Sequence, residues 1–204
     1  VARVADTLAP IGIRTAVMSF PPPITGLERG AGEDFFAYCA RLAETSTADD
    51  WRRIADLLNV KGRIVARSGL RIAYHNHNIE LAPKGATCGL EILIRNTDPA
   101  LVDFELDAGW VKAAGQDPID WLTRWPGRFR LMHIKDLAAS TSPNHALQME
   151  AREIGTGSID WEKTLPVAWR SGVRHYFVEQ EPPFPDGQLA AARRNAAFLR
   201  EVRA

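Results

Sequence analysis

Short apolar runs alternate with amphipathic stretches along the chain. Five runs have the length and residue types of buried strands: Ile13–Phe20, Arg71–His77, Leu101–Asp107, Phe129–Lys135 and His175–Gln180. Between them apolar residues recur at helical spacing over about 31–44, 48–67, 86–96, 117–125 and 160–171, and again over 186–203. Val1–Pro10, with Val1, Val4, Ala5 and Leu8, reads as the body of a further helix with no cap before it. Strands separated by amphipathic helices predict a parallel α/β protein. The punctuation agrees. Gly69 and Gly172 stand just before strands, where a helix should stop, and Asp49, Asp50 and Asp160 are plausible first-turn acids. Pro21–Pro23 and Pro182–Pro185 read as rigid loops after strands.

The strand ends separate the two obvious parallel folds. A dinucleotide fold needs G-x-G-x-x-G between strand and helix, and Gly155-Thr156-Gly157 lacks the third glycine and follows no convincing strand. Four of the five runs instead end in polar clusters: Tyr74-His75-Asn76-His77, Glu105-Leu106-Asp107, His133-Ile134-Lys135-Asp136 and Glu179-Gln180-Glu181. Such groups are costly in a core but useful at the mouth of a (β/α)8 barrel, where catalytic residues collect. The expected fold is therefore an α/β TIM (β/α)8 barrel, a single domain over 1–204. A barrel uses eight strands at roughly 30 residues per βα unit. Five are visible, so the expectation is a chain that shows the later strands, its N-terminal strands missing.

Composition narrows the function. With 25 basic and 25 acidic residues the formal charge is zero, which gives no general electrostatic drive onto nucleic acid or an anionic membrane. No apolar run approaches the ~20 residues of a membrane helix. Cys39 and Cys88 offer neither a disulfide framework nor a zinc ribbon, which points to the cytoplasm. The expected partner is a small molecule, not nucleic acid or a membrane, and a homo-oligomer is compatible with the sequence.

Glu80, Asp107, His133 and Glu179 are candidate metal ligands. Three carboxylates and an imidazole form a hard, mostly oxygen set for a divalent metal (Mn, Mg, Co or Zn), better suited to the first three than a structural zinc site is. Asp107 and His133 lie about one βα unit apart, so they can occupy adjacent strand ends. His75 and His77 share one side-chain parity with Asn76 opposite; each reads as a substrate contact, a ligand or a hydrogen-bonded core histidine. Lys135 can hold a substrate oxygen or pair with Asp107 or Glu105, and Trp110 can wall a sugar ring. Trp121, Trp125, Trp161 and Trp169 read as packing residues. Arg128, His145 and His175 receive no role.

At these residues the chain resembles the sugar phosphate isomerase/epimerase family, the xylose isomerase-like barrels of the AP endonuclease 2 superfamily that also include endonuclease IV. The matching motifs are Tyr74-His75-Asn76-His77-Asn78-Ile79-Glu80, Phe104-Glu105-Leu106-Asp107-Ala108-Gly109-Trp110 and Gly115-Gln116-Asp117-Pro118. They continue with Gly127-Arg128, His133-Ile134-Lys135-Asp136, Gly155-Thr156-Gly157-Ser158-Ile159-Asp160-Trp161 and Phe177-Val178-Glu179-Gln180-Glu181. They run in family order over roughly residues 45 to 204. The resemblance implies one divalent metal held by Glu, Asp, His and Glu, with Asp107, His133 and Glu179 as the last three. Many relatives carry the first Glu where this chain has His75; Glu80 is the natural substitute.

The chemistry so implied is proton abstraction beside the carbonyl of a ketose or keto-sugar, through a metal-stabilised enediolate. Glu179 is the first candidate for the base, with Glu80 or His77 on the opposite face and Lys135 beside the metal; His75, Asn76 and Trp110 are expected to contact substrate. Isomerase or epimerase is the first reading. A dehydratase or lyase on a keto-polyol, an endonuclease IV-like phosphodiesterase and a non-catalytic sugar-binding module remain alternatives.

Overall fold

The computed structural model describes residues 2–202. Val1 and Arg203, the outer ends of the two expected terminal helices, and Ala204 lie outside the described residues. The chain divides into two compact units, residues 1–105 and 106–204.

The first unit contains α1 (Ala2–Leu8), β1 (Thr15–Met18), α2 (Phe35–Thr45), α3 (Ala48–Ala66) and β2 (Arg71–His75). A short hairpin, β3 (Pro83–Lys84) with β4 (Thr87–Cys88), leads to α4 (Gly89–Asn96) and β5 (Val102–Asp107), whose last two residues belong to the second unit. β1 pairs with β2 and β2 with β5, both in parallel, in registers that set Met18 beside Tyr74 and His75 beside Glu105. β2 and β5 are buried almost throughout, as expected of parallel strands that read as continuous apolar runs. α3 starts where Thr47 and Asp50 form a reciprocal capping box, and it buries Trp51, Ile54, Ala55, Leu58 and Val65. Its indole sets the start of α4. A Cβ on Gly89 would come within 2.5 Å of the Trp51 ring, so glycine lets the two helices close up. α2 begins later than the periodicity predicted, because Asp34 accepts the Phe36 and Ala37 N–H groups and so fixes the cap. Both cysteines are reduced and buried, and burial pushes the Cys39 thiol up to about 11.

The second unit continues with α5 (Ala108–Ala113), α6 (Pro118–Arg124), β6 (Phe129–Ile134), the hairpin β7 (Asp136–Leu137) with β8 (Ala151–Arg152), α7 (Trp161–Ser171), β9 (His175–Val178) and α8 (Gln188–Glu201). β6 and β9 pair in parallel, with His133 beside Phe177. Asp117 and Asp160 cap α6 and α7, and Gly172, in the left-handed region at φ 113°, closes α7 just before β9. The five strands lie where the apolar runs predicted them: β2, β6 and β9 stop short at their polar ends, β1 is trimmed at both ends, and β5 begins one residue later but runs to Asp107. The six-residue α5 and both hairpins were not expected. Among the described residues no helix is long and apolar enough to cross a membrane.

Candidate metal centre

The second unit brings together three of the four expected ligands. Asp107 is the last residue of β5 and also the N-cap of α5: its Oδ1 accepts the Trp110 N–H at 2.9 Å. Its Oδ2 lies 3.6 Å from His133 Nδ1, near the end of β6. Glu179 follows β9, and its N–H donates to Ile134 O, carrying the ladder one residue further. That register delivers its carboxylate to His133, with Oε2 2.8 Å from Nδ1. Asp107, His133 and Glu179 therefore offer three donor atoms within 4.8 Å of one another.

The donor set fits a divalent ion. Two ligand atoms each ~2.1 Å from one ion and at right angles stand about 3.0 Å apart, close to the 2.8 and 3.6 Å separations observed. Two carboxylates with one imidazole make three protein ligands, the number usual in catalytic rather than four-ligand structural sites. Asp107 is fully buried, while the Glu179 side chain is 43% exposed and is the accessible member.

Lys135, the residue after β6, supplies the balancing charge. Its ammonium lies 2.9 Å from Glu179 Oε2, 3.2 Å from Glu181 Oε1 and 3.6 Å from Asp107 Oδ2, with the Trp110 ring 4.9 Å away. Burial opposes its charge, but the attraction of Asp107, Glu179 and Glu181 wins and holds its pKa above the ordinary lysine value. The His133 hydrogen bond, ahead of Lys135, draws the Glu179 carboxyl down to about 2. Gly109 makes the close approach possible, since a Cβ there would meet Lys135 Cγ at 2.7 Å. Trp110 is 5% exposed and its ring faces the Lys135 ammonium.

Asp136, given no role from sequence, is the hub of the adjoining loop. Its Oδ1 accepts N–H groups from Leu137, Ser158 and Ile159, and its Oδ2 accepts from Gly155 and from the Trp161 indole. The two motifs His133–Asp136 and Gly155–Trp161 are thus halves of one hydrogen-bonded structure. Glu181 was likewise missed as a partner of Lys135; its separation of two from Glu179 was the available signal.

The first unit gathers the His-Asn-His residues at the end of β2. His75 Nδ1 lies 3.0 Å from Glu105 Oε2, both side chains buried. His77 stacks on Phe20 at 4.2 Å and meets the His75 ring edge to face at 4.8 Å. Asn76 is buried and its amide donates to His77 O. Glu80 is fully buried, and both its oxygens are engaged within its own segment: Oε1 accepts the Tyr74 hydroxyl at 2.7 Å and Oε2 the His77 N–H at 2.8 Å. Burial pushes its carboxyl up to about 7 against those hydrogen bonds. This is the setting of an anchor for the 77–81 turn.

A family model, the xylose isomerase-like TIM barrel, matches residues 3–202. The chain is 33% identical over 149 residues to an inosose dehydratase of Bacillus anthracis (strain CDC 684 / NRRL 3495), covering 67% of this chain and 49% of that protein. It thus spans about half the length of the curated relatives it matches. A crystal structure of a sugar phosphate isomerase/epimerase from Parabacteroides distasonis ATCC 8503 is similar, with TM-score 0.73 and 25% identity over 98% of this chain and 63% of that one. The structure of the IOLI protein with a bound zinc atom shares the fold, with TM-score 0.67 and 16% identity over 97% of this chain and 66% of that one.

Proposed function

Since the chain belongs to the xylose isomerase-like TIM-barrel family, we propose that it is a sugar-modifying enzyme whose Asp107, His133 and Glu179 hold one divalent metal. Both units then belong to one barrel domain, a reading supported by the family match across their boundary. The proposed reaction is removal of a proton beside the carbonyl of a keto-sugar or keto-polyol. The observation that carries it is the convergence of three strand-end donors on one point beside a buried lysine. A divalent cation in that place supplies Lewis-acid polarisation of a carbonyl oxygen.

The chain's own groups account for the rest. Glu179 is the accessible carboxylate of the site, so it is the proton acceptor. Lys135 stays cationic and balances the carboxylates while negative charge develops on substrate oxygen. Return of the proton to the other face gives epimerisation, and return to the neighbouring carbon gives isomerisation. Departure of a β-hydroxyl gives dehydration, a second reading favoured by the likeness to inosose dehydratases.

Incubation of the metal-loaded protein with ketoses and inososes in deuterated water tests the proposal. Deuterium at the α-carbon of at least one substrate is the expected result. Bound metal without exchange across the panel would falsify the enzymatic reading and leave a sugar-binding module.

A further inference from the structure

Glu179 makes the last ladder hydrogen bond beyond β9, and Glu181 reaches the site from the segment that follows, just before a Pro182-Pro183 pair. Side chains alternate along an extended segment, so Gln180 points away from the two glutamates. Its Oε1 accepts a hydrogen bond from Asn195 Nδ2 at 2.9 Å, and Asn195 is 2% exposed on α8. The other end of the same carboxamide accepts the Ile154 N–H at 2.9 Å. The orientation follows without ambiguity: a backbone N–H is an obligate donor, so Oδ1 faces Ile154, Nδ2 faces Gln180, and Gln180 must present its oxygen.

The next amide along the loop, Gly155 N–H, donates to Asp136 Oδ2 at 3.1 Å, and Asp136 adjoins Lys135. Asn195 therefore stands in the middle of a link, from Gln180 through Asn195 and the Ile154-Gly155 backbone to Asp136, that ties the segment bearing Glu179 and Glu181 to the residues after β6. α8 is held against that loop on both sides of Asn195. Arg194 pairs with Glu153 at 2.6 Å, and the Phe198 ring lies so close to Gly155 that a Cβ there would meet it at 2.3 Å. Packing alone would be served by an apolar side chain, as Ala191 serves one turn earlier. A buried carboxamide is costly unless both ends are bonded.

We infer that Asn195 is a positioning residue for the metal centre: through Gln180 it sets the direction of Glu179 and Glu181. The inference rests on the proposed metal role of Asp107, His133 and Glu179. A group hydrogen-bonded directly to a metal ligand commonly governs affinity by 10–100-fold; Asn195 bonds the residue next to the ligand, so the lower end of that range is expected.

The test is the affinity of the purified protein for Mn²⁺ by calorimetry and the visible spectrum of its Co²⁺ form, with thermal unfolding in parallel. Asn195→Leu is expected to weaken Mn²⁺ binding about 10-fold and to alter the Co²⁺ bands. Asn195→Asp should retain affinity within about threefold: it accepts the Ile154 N–H, and the Gln180 amide can turn to donate its N–H. Gln180→Leu, at a partly exposed position, should reproduce the loss with Asn195 intact and decides the matter where Asn195→Leu does not fold. Equal Mn²⁺ affinity in wild type and in the folded leucine variants overturns this inference alone. So does a loss in all three variants that merely tracks their thermal midpoints. A wild-type protein that takes up no divalent ion overturns the metal reading and this inference together.

Discussion

Glu80 illustrates how a side chain's neighbours decide its task. Its carboxyl is fully buried, and burial outweighs the Tyr74 and His77 hydrogen bonds to raise it from 4.5 to about 7. The folded state then binds more protons than the unfolded chain between those two values, so stability falls as pH rises from about 4.5 to 7. The full effect is on the order of 3 kcal/mol. Glu80→Gln can keep its oxygen on the His77 N–H and turn its amide to Tyr74. Urea unfolding across that window is expected to show a shallower slope for the variant, and an unchanged slope would assign the pH dependence elsewhere. None of this was legible in the sequence, where Glu80 is an acid three residues past a His-Asn-His. Its burial and the Tyr74 hydroxyl above it are products of tertiary packing. Asp107, His133 and Glu179 were legible because each ends an apolar run in a polar residue, a pattern that survives without any knowledge of packing.

At the scale of elements, strands and long helices were readable because buried parallel strands leave an apolar run and amphipathic helices a periodicity. α5 was not. It has six residues, too few to display a period, and its start depends on Asp107 serving as cap. The two hairpins, of two residues per strand, are equally silent. The loop from Gly155 to Trp161 was readable as a motif but not as a structure, since its partner Asp136 lies on the far side of a hairpin. That partnership predicts an effect. A Cβ on Gly157 would come within 2.1 Å of Asp136 Oδ1 and 2.6 Å of Leu137 O. Gly157→Ala should therefore cost about 2 kcal/mol or more in urea unfolding, whereas Ala at Gly127, whose Cβ would meet nothing within 4 Å, should suffer only the strain of its positive φ.

For the whole molecule, the relevant free energy is the linkage between ion binding and folding. A site that converges only in the folded chain stabilises it by about 2.7 kcal/mol when metal is present at 100 times its Kd. For a protein of this size that corresponds to a rise of about 5–10 °C in the thermal midpoint. Addition of Mn²⁺ or Zn²⁺ should produce the rise, chelation should reverse it, and His133→Ala should abolish it. A shift that survives in His133→Ala would place the ion elsewhere. The zero formal charge of the chain makes this a local matter, because no strong overall field draws cations to the surface.

Asp107 holds the start of α5 with one oxygen and turns the other toward His133 and Lys135. Folding and the proposed metal binding thus hang on two atoms of a single side chain, and the amide analogue pries them apart. Asparagine is as good a helix cap as aspartate, so exchange at this one position should leave an intact scaffold that has lost the charge with which to grasp an ion.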